Sequence, residues 1–249
     1  MMNLENRRNL RGQIVERIFD ALLVGELKPG ERIIETKLAR ELGVGQSTLR
    51  EALQELEHRG LLTKYSNRGT FVSKLTEKKV REIYGVRFEL EPVAAAQACQ
   101  HMTADRLLRL ETLLAKMGGV AKEKNLPELM KSDQAFHHLI WKLSNNATLE
   151  KVLELVCAPL FAFYVVAFSH FRHASTETLD DFIRDTNEHA GLLAALSSGR
   201  PEEAKKVFRE TLELFCTRHI KHVREAAEDF SVAPKDETDG QRSETKLCS

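Results

Sequence analysis

The chain has 249 residues, of which 42% are hydrophobic and 30% are charged, and its formal net charge is zero. These proportions are typical of a globular protein, and net neutrality argues against indiscriminate coating of nucleic acid. No apolar run approaches the ~18–20 residues that span a bilayer. The polar N-terminus also lacks the apolar core of a secretory signal. We therefore expect a cytoplasmic protein with no membrane partner.

The first 75 residues predict a small module of helices followed by a hairpin. Helical spacing of apolar residues and the turn residues around them predict helices at 10–24, 35–42 and 46–59, and strands at 61–65 and 70–74. Gly60 suits the C-terminal end of the third helix, and the segment 66–69 supplies a turn. This order is the layout of a winged helix-turn-helix, whose second helix enters a DNA major groove.

The remainder of the chain predicts helices alone, at 77–100, 104–117, 127–143, 148–171, 177–198 and 202–228. Thr76 and Thr103 are expected to cap two of them. Short connections between long amphipathic helices predict an antiparallel all-α bundle. The polar segment 231–249 predicts a disordered tail. The expected fold is thus mostly α, with a winged helix-turn-helix at 1–75, a helical domain for effector binding and dimerisation at 76–230, and the tail.

The helix predicted at 46–59, the second of the helix-turn-helix, has one apolar side and one polar side. The inward residues are Leu49, Ala52, Leu53 and Leu56, and the outward candidates for DNA contact are Gln46, Ser47, Thr48 and Arg50. In the wing, Arg68 and Gly69 are candidates because glycine lets the main chain approach DNA closely. Residues 1–75 carry 13 Lys/Arg and 10 Asp/Glu, a net charge of +3 in the direction that DNA binding requires. Two alternatives remain: an ordinary solvated helix face, and a module that binds protein.

Ionisable side chains share an inward face of the predicted bundle. Asp133 and His137 are four residues apart on one helix, and His189 lies beside an inward row of leucines. Ionisable groups that face a core are unusual unless they are paired or bound to a metal. Spacing alone leaves two interpretations open: a divalent-metal site, or histidines hydrogen-bonded within a core.

Residues 10–75 resemble the N-terminal domain of the GntR family of bacterial transcription regulators. The similarity rests on GELKPGERIIETKLARELGV, STLREALQELEHRGLL and NRGTFV. The resemblance implies that the start of the helix at 46–59 and the wing contact DNA, and that a dimer reads a palindromic operator. Thr48 and Arg50 match the family pattern, but Gln46 stands where the family usually has arginine. We therefore predict an adenine contact for Gln46 in place of a guanine contact.

Residues 77–225 resemble the FCD effector-binding domain of the FadR-type branch of these regulators, through IYGVRFELEPVAAAQA, SDQAFHHLI and NEHAGLLAAL. The resemblance implies that Asp133, His137 and His189 hold a divalent metal such as zinc, and that a small carboxylate effector completes the site. The family's fourth ligand is a histidine 22 residues after the third, and Thr211 occupies that position here. Arg87 matches a family arginine near the effector.

The replacement by Thr211 leaves two outcomes open. A metal binds through three protein ligands, with water or effector in the open position. Alternatively, the metal is lost and the effector is held by hydrogen bonds and by Arg87, which can clamp a carboxylate bidentately. A surface salt bridge with Glu91 is the alternative role of Arg87.

The sequence therefore predicts a DNA-binding transcription regulator rather than an enzyme. Its expected partners are a double-stranded DNA operator, a small carboxylate effector and a second copy of the chain, and repression is the expected mode. Two alternatives differ in class: a metal-dependent hydrolase built on the helical domain, and an architectural DNA-binding protein without an effector.

Overall fold

The computed structural model of the protein describes residues 4–23, 26–170 and 176–232. The chain divides into two compact units, Leu75–Ala226 and the remaining residues. The described part of the chain is mostly helical, with one small sheet in the N-terminal unit. The predicted fold class, a winged helix-turn-helix followed by a helical bundle, is confirmed. No helix within the described ranges is both long and apolar enough to cross a membrane.

The N-terminal unit contains three helices and a three-stranded antiparallel sheet among its described residues. Its elements are α1 (Leu4–Leu23), β1 (Arg32–Ile33), α2 (Glu35–Glu41), α3 (Gln46–His58), β2 (Leu62–Tyr65) and β3 (Gly69–Val72). The strand order is β1-β3-β2, and β2 and β3 form the wing with Tyr65 opposite Gly69. Residues of β1 pair with β3, so the start of α2 is tied to the wing.

Burial of one face holds α3 in place. Leu49, Ala52, Leu53 and Leu56 are buried as predicted, and α3 packs against α1, α2 and β2. Gly60 follows the helix with φ +74°, a left-handed conformation that glycine adopts without a steric cost. This conformation turns the chain directly from α3 into β2, the first strand of the wing.

The second unit is a bundle of long helices. They are α4 (Glu77–Gln100), α5 (Ala104–Lys122), α6 (Leu126–Leu143), α7 (Ala147–His170), α8 (Thr176–Ser197) and α9 (Pro201–Val232). The side chains of Thr76 and Thr103 accept hydrogen bonds from backbone N–H groups three residues later, which confirms both predicted caps. The α4 helix packs against α6, α7 and α8. This arrangement brings the inward faces of α4, α6 and α8 to one place inside the bundle.

Several boundaries differ from the sequence predictions. The α5 helix continues through Gly118 and Gly119 to Lys122, because Met117 and Ala121 are buried and their packing offsets the ~1 kcal/mol cost of each helical glycine. The α1 helix begins at Leu4, since Glu5, Arg7 and Arg8 have high helix propensity. The strand β1 was missed because two residues cannot show an alternating pattern.

The predicted tail at 231–249 is partly corrected. Its first two residues belong to α9, which runs to Val232 rather than ending near 228. Amphipathic helical spacing had already weakened there, so the sequence pattern placed the end too early. Residues 233–249 of the predicted tail lie outside the described residues.

Candidate DNA interface and metal centre

The first turn of α3 presents polar groups at the surface. Gln46 and Ser47 are exposed and Thr48 is half-buried. Gly45 occupies the N-cap position, and no side chain caps the helix. The first backbone N–H groups of α3 are therefore available to a phosphate oxygen, which helix N-termini favour through their dipole. This end of α3 can bind the DNA backbone while its side chains face the groove.

Arg50 extends from the same face but already has a protein partner. Its Nε donates a hydrogen bond to Glu35 Oε2 over 2.8 Å, and the Arg50 side chain is 62% exposed. The pair joins the starts of α2 and α3, so it positions the two helices of the helix-turn-helix. An exposed ion pair of this kind contributes little stability. Arg50 can therefore transfer to a phosphate or a guanine at small energetic cost.

The wing tip is basic and narrow. The exposed Arg68 lies over the ring of Tyr65, with its guanidinium carbon 5.8 Å from the ring centroid. Gly69 has φ +99°, and a Cβ there would come within 3.3 Å of Arg32 Nε. A side chain at position 69 would therefore be strained and crowded. The wing keeps a bare backbone beside an arginine, which suits close approach to DNA.

Three ligand atoms converge inside the bundle, from α6 and α8. His137 Nε2 lies 3.3 Å from His189 Nε2, and Asp133 Oδ1 lies 2.8 Å from His189 Nε2 and 3.9 Å from His137 Nε2. Ligand atoms around one tetrahedral zinc ion stand about 3.3 Å apart. The structure thus brings together all three residues that the sequence singled out, at distances that match a shared divalent ion.

The opposite ring nitrogens of both histidines face acceptors. His189 Nδ1 donates a hydrogen bond to the Asp185 carbonyl over 2.7 Å. His137 Nδ1 lies 3.1 Å from Glu91 Oε2. A proton on each Nδ1 leaves the Nε2 lone pairs directed at one another and at the Asp133 carboxylate. Such a set of lone pairs requires a cation or an added proton between them, and outer acceptors of this kind are typical of histidines that bind metals.

Without a metal, a proton must compensate this charge. Burial alone would lower the pKa of His189, but the hydrogen bond and charge of Asp133 raise it above the usual value. Burial would raise the pKa of Asp133, but the hydrogen bond from His189 and the nearby cationic groups lower it to about 2. The centre therefore favours an anionic Asp133 with a positive charge beside it, which a divalent metal can supply.

Arg87 reaches the same cavity from α4, but it is not at the surface. It forms an ion pair with Glu91 in which the side chains are 2% and 0% exposed. The alternative that the sequence left open, a salt bridge with Glu91, is thus present, but it lies in the core rather than at the helix surface. Burial would raise the pKa of Glu91, whereas Arg87 and His137 lower it to about 2. A carboxylate effector would have to share Arg87 with this buried glutamate.

The α9 helix closes the cavity with an aromatic side chain. Thr211 is buried, but it is not among the lining residues, which include Phe215 and His219. The Phe215 ring stacks on His189 with centroids 5.2 Å apart. His219 Nδ1 lies 2.7 Å from the hydroxyl of Tyr84. The cavity has a volume of about 20 Å³, room for an ion or a water molecule.

Sequence reasoning missed three residues of this centre, Asp185, Phe215 and His219, and it placed Glu91 at the helix surface rather than in the core. The Arg87–Glu91 spacing of four residues signalled the ion pair, but nothing in a single helix pattern showed that it is buried. The role of Asp185 is carried by its backbone carbonyl, which has no sequence signature. Phe215 and His219 come from a different helix, so only the packing of α9 reveals them.

A second trio of possible ligands lies at the surface between α6 and α7. His138 Nε2 is 2.5 Å from Glu154 Oε1 and 3.7 Å from Glu150 Oε1. The His138 and Glu154 side chains are about two-fifths exposed, unlike the buried histidines of the inner centre. Exposed pairs of this kind are common without a metal, so we interpret this trio as a surface ion pair.

Fold and site together define a class: a DNA-binding winged helix-turn-helix joined to a helical domain with an internal ligand centre. Residues 10–72 match the model of the gntR family of bacterial regulatory proteins, and residues 82–214 match the FCD domain. The chain belongs to the GntR family and carries an FCD domain. It is a DNA-binding transcription regulator, not an enzyme, and its family implies a small-molecule effector.

Known relatives agree with this assignment. The HTH-type transcriptional regulator YdhC of Bacillus subtilis is 30% identical over 218 residues, covering 87% of this chain and 92% of that protein. The Nta operon transcriptional regulator of Aminobacter aminovorans is 30% identical, covering 80% and 96%. The solved structure of Escherichia coli McbR/YncC is similar in fold, with a TM-score of 0.64 and 22% identity over 89% of this chain and 98% of that one.

Proposed function

We propose that the protein is a homodimeric transcription repressor whose operator affinity is set by a small carboxylate effector and a divalent metal bound in the helical unit. The observation that carries this proposal is the convergence of Asp133 Oδ1, His137 Nε2 and His189 Nε2 in one cavity of the bundle. The family supplies the coarser assignment, DNA binding and effector binding. The hydrolase alternative is set aside because the family and its named relatives are regulators.

The proposed DNA contacts fall into two groups. Gln46, Ser47 and Thr48, at the uncapped start of α3, contact base edges in the major groove or the phosphates beside it. Arg50, Arg68 and Gly69 contact the backbone or the minor groove. A palindromic operator presents two equivalent half-sites, so two copies of the chain are needed to occupy it. The exposure of Gln46, Ser47, Arg50 and Arg68 and the uncapped start of α3 support the assignment.

The proposed metal is held by Asp133, His137 and His189. When bound, it supplies an open coordination position for a carboxylate oxygen, as three-ligand sites do. Arg87 lies on the cavity wall, where it can pair with the rest of such an effector. The cavity itself has room for little more than an ion or a water, so we propose that a larger effector displaces side chains as it enters. This displacement gives the effector a different affinity for two arrangements of the bundle, as ligand control requires.

The test is operator binding by the full chain, measured by fluorescence anisotropy on DNA fragments selected by genomic binding-site mapping. Small molecules that co-purify with the protein are identified and added back, with and without zinc. The proposal expects at least one carboxylate to change operator affinity about 5-fold or more. If no carboxylate shifts either operator affinity or thermal stability, the architectural alternative without an effector holds instead.

We predict that Gln46 selects adenine at one operator position. Replacing that adenine with guanine should weaken wild-type binding by about 1–3 kcal/mol, because the bidentate contact to the adenine edge is lost. Gln46→Ala should bind both sequences equally. Gln54→Ala, an exposed glutamine on the same helix, should keep the wild-type preference. The hypothesis fails if no operator position distinguishes Gln46→Ala from wild type.

We also predict that Arg68 contributes one phosphate contact per chain. A plot of the logarithm of operator affinity against the logarithm of salt concentration should have a shallower slope in Arg68→Ala. We expect the slope to fall by about 1 for each phosphate contact that is lost. Arg59→Ala is the matched control, since Arg59 is exposed at the opposite end of α3 and pairs with Glu55. An unchanged slope in Arg68→Ala would place the wing tip away from the DNA backbone.

A further inference from the structure

The environment of His137 contains a carboxylate that is not among the three predicted ligands. Glu91 is fully buried on α4, and its Oε2 lies 3.1 Å from His137 Nδ1. Both atoms are buried, and neither forms a hydrogen bond of favourable geometry with the other or with any other described residue. A small rotation that directs the imidazole Nδ1–H at Oε2 would satisfy both buried atoms at once. The proton then resides on Nδ1 and leaves Nε2 unprotonated.

The orientation of His137 follows from this contact. With Nδ1 turned to Glu91, Nε2 points toward Asp133 and His189, the two other ligands. The His137 ring also meets Trp141, Phe161 and Phe215, whose faces offer no competing polar partner. Glu91 is therefore the acceptor that faces Nδ1 in the described surroundings, in a position to set both the ring orientation and the tautomer.

Arg87 completes the arrangement on the side remote from His137. Its guanidinium pairs with Glu91 Oε1, so the carboxylate spans an arginine on the cavity wall and a histidine of the ligand trio. Arg87 and Glu91 are four residues apart on α4, and the helix itself fixes their spacing. The carboxylate cannot swing away from His137 without leaving Arg87 unpaired in the core.

We propose that Glu91 is a positioning residue that holds His137 with its proton on Nδ1, so that Nε2 is directed into the metal centre. The inference rests on the proposed function only for its consequence, the metal affinity. The geometry of the carboxylate and the imidazole stands without the metal. Removal of an outer acceptor of this kind typically weakens metal binding 10- to 100-fold while the ligands themselves remain.

The test uses the full chain in three variants. Glu91→Leu removes the acceptor. Arg87→Met combined with Glu91→Leu removes both charges and so keeps the core neutral. This double variant replaces the single one if Glu91→Leu does not fold. Glu89→Leu is the control, because Glu89 is 71% exposed on the same helix. Loss of Arg87 takes a positive charge away from the centre, and this change by itself favours binding of a metal cation. Weaker metal binding in the double variant therefore reports the loss of Glu91.

Two readouts separate the proposal from the proposed function. Imidazole nitrogen NMR of metal-free protein at pH 8, assigned with His137→Gln, should show the proton of His137 on Nδ1 in wild type and in Glu89→Leu. The Nε2-protonated form should appear when Glu91 is lost. Zinc affinity, measured by competition with a chelator, should fall 10- to 100-fold in the same variants.

The outcomes are distinct. If the wild type binds no zinc, the metal assignment fails and the NMR measurement alone decides the role of Glu91. If His137 keeps the same tautomer with and without Glu91, the proposal is wrong. It is equally wrong if wild-type zinc affinity survives unchanged in a folded variant that lacks Glu91.

Discussion

Purified wild-type protein should carry one divalent ion per chain in the bundle, and Asp133→Asn should lose it. Asparagine keeps the size of the side chain but removes the anionic ligand whose charge the two histidines share. We expect the affinity for zinc to fall at least about 100-fold, since loss of an outer partner alone costs 10–100-fold. Elemental analysis after gentle purification measures the stoichiometry directly.

The same variant should also lose metal-dependent stability. A ligand at a hundred times its Kd stabilises the folded state by about 2.7 kcal/mol, so zinc should raise the midpoint of urea unfolding in wild type but not in Asp133→Asn. Asp105→Asn serves as control, because Asp105 is exposed in the first turn of α5. Absence of stoichiometric metal in wild type, with no difference between wild type and Asp133→Asn, would leave hydrogen bonds and Arg87 as the means of holding the effector.

The second large effect is expected at the buried Arg87–Glu91 pair. Arg87→Met leaves the Glu91 carboxylate without its strongest partner in the core, and we expect a loss of about 3–5 kcal/mol in the free energy of unfolding at pH 7. Arg87→Met combined with Glu91→Leu should recover most of that loss, because neither charge is left uncompensated. Urea unfolding of both variants measures the difference.

The pH dependence gives this prediction a sign. Burial alone would raise the pKa of Glu91, but Arg87 and His137 lower it from 4.5 to about 2 in the folded protein. The unfolded chain therefore binds more protons between these two values, and the stability that Glu91 contributes in wild type is lost as the pH falls through this window. The difference in the free energy of unfolding between wild type and Arg87→Met should become smaller over the same pH range.

Arg81→Met is the matched control for the buried pair. Arg81 lies on the same helix and forms an i,i+4 pair with Glu77, but its side chain is 59% exposed. Exposed pairs contribute at most about 1 kcal/mol, so this variant should be nearly as stable as wild type. Equal losses in Arg81→Met and Arg87→Met would mean that the core pair carries no special cost.

The DNA-binding half of the molecule was largely predictable from the chain. Turn glycines and the apolar positions of α3 determine which side of that helix is buried, because a short helix can bury only one face. The polar residues on its other side then follow without further information. The pairing of Arg50 with Glu35 was not predictable, since the two residues are 15 positions apart and meet only when α2 and α3 pack.

In the helical unit, less of the candidate site could be predicted from the sequence. The sequence by itself determined the helices, two of their threonine caps and the identity of Asp133, His137 and His189, because periodicity, capping chemistry and a four-residue spacing are local properties. Only the tertiary structure decided that these three side chains meet, that Glu91 stands behind His137 and that α9 covers the cavity with Phe215 rather than Thr211. Contacts between helices depend on how each helix is rotated and shifted against its neighbours, and no local pattern encodes that rotation.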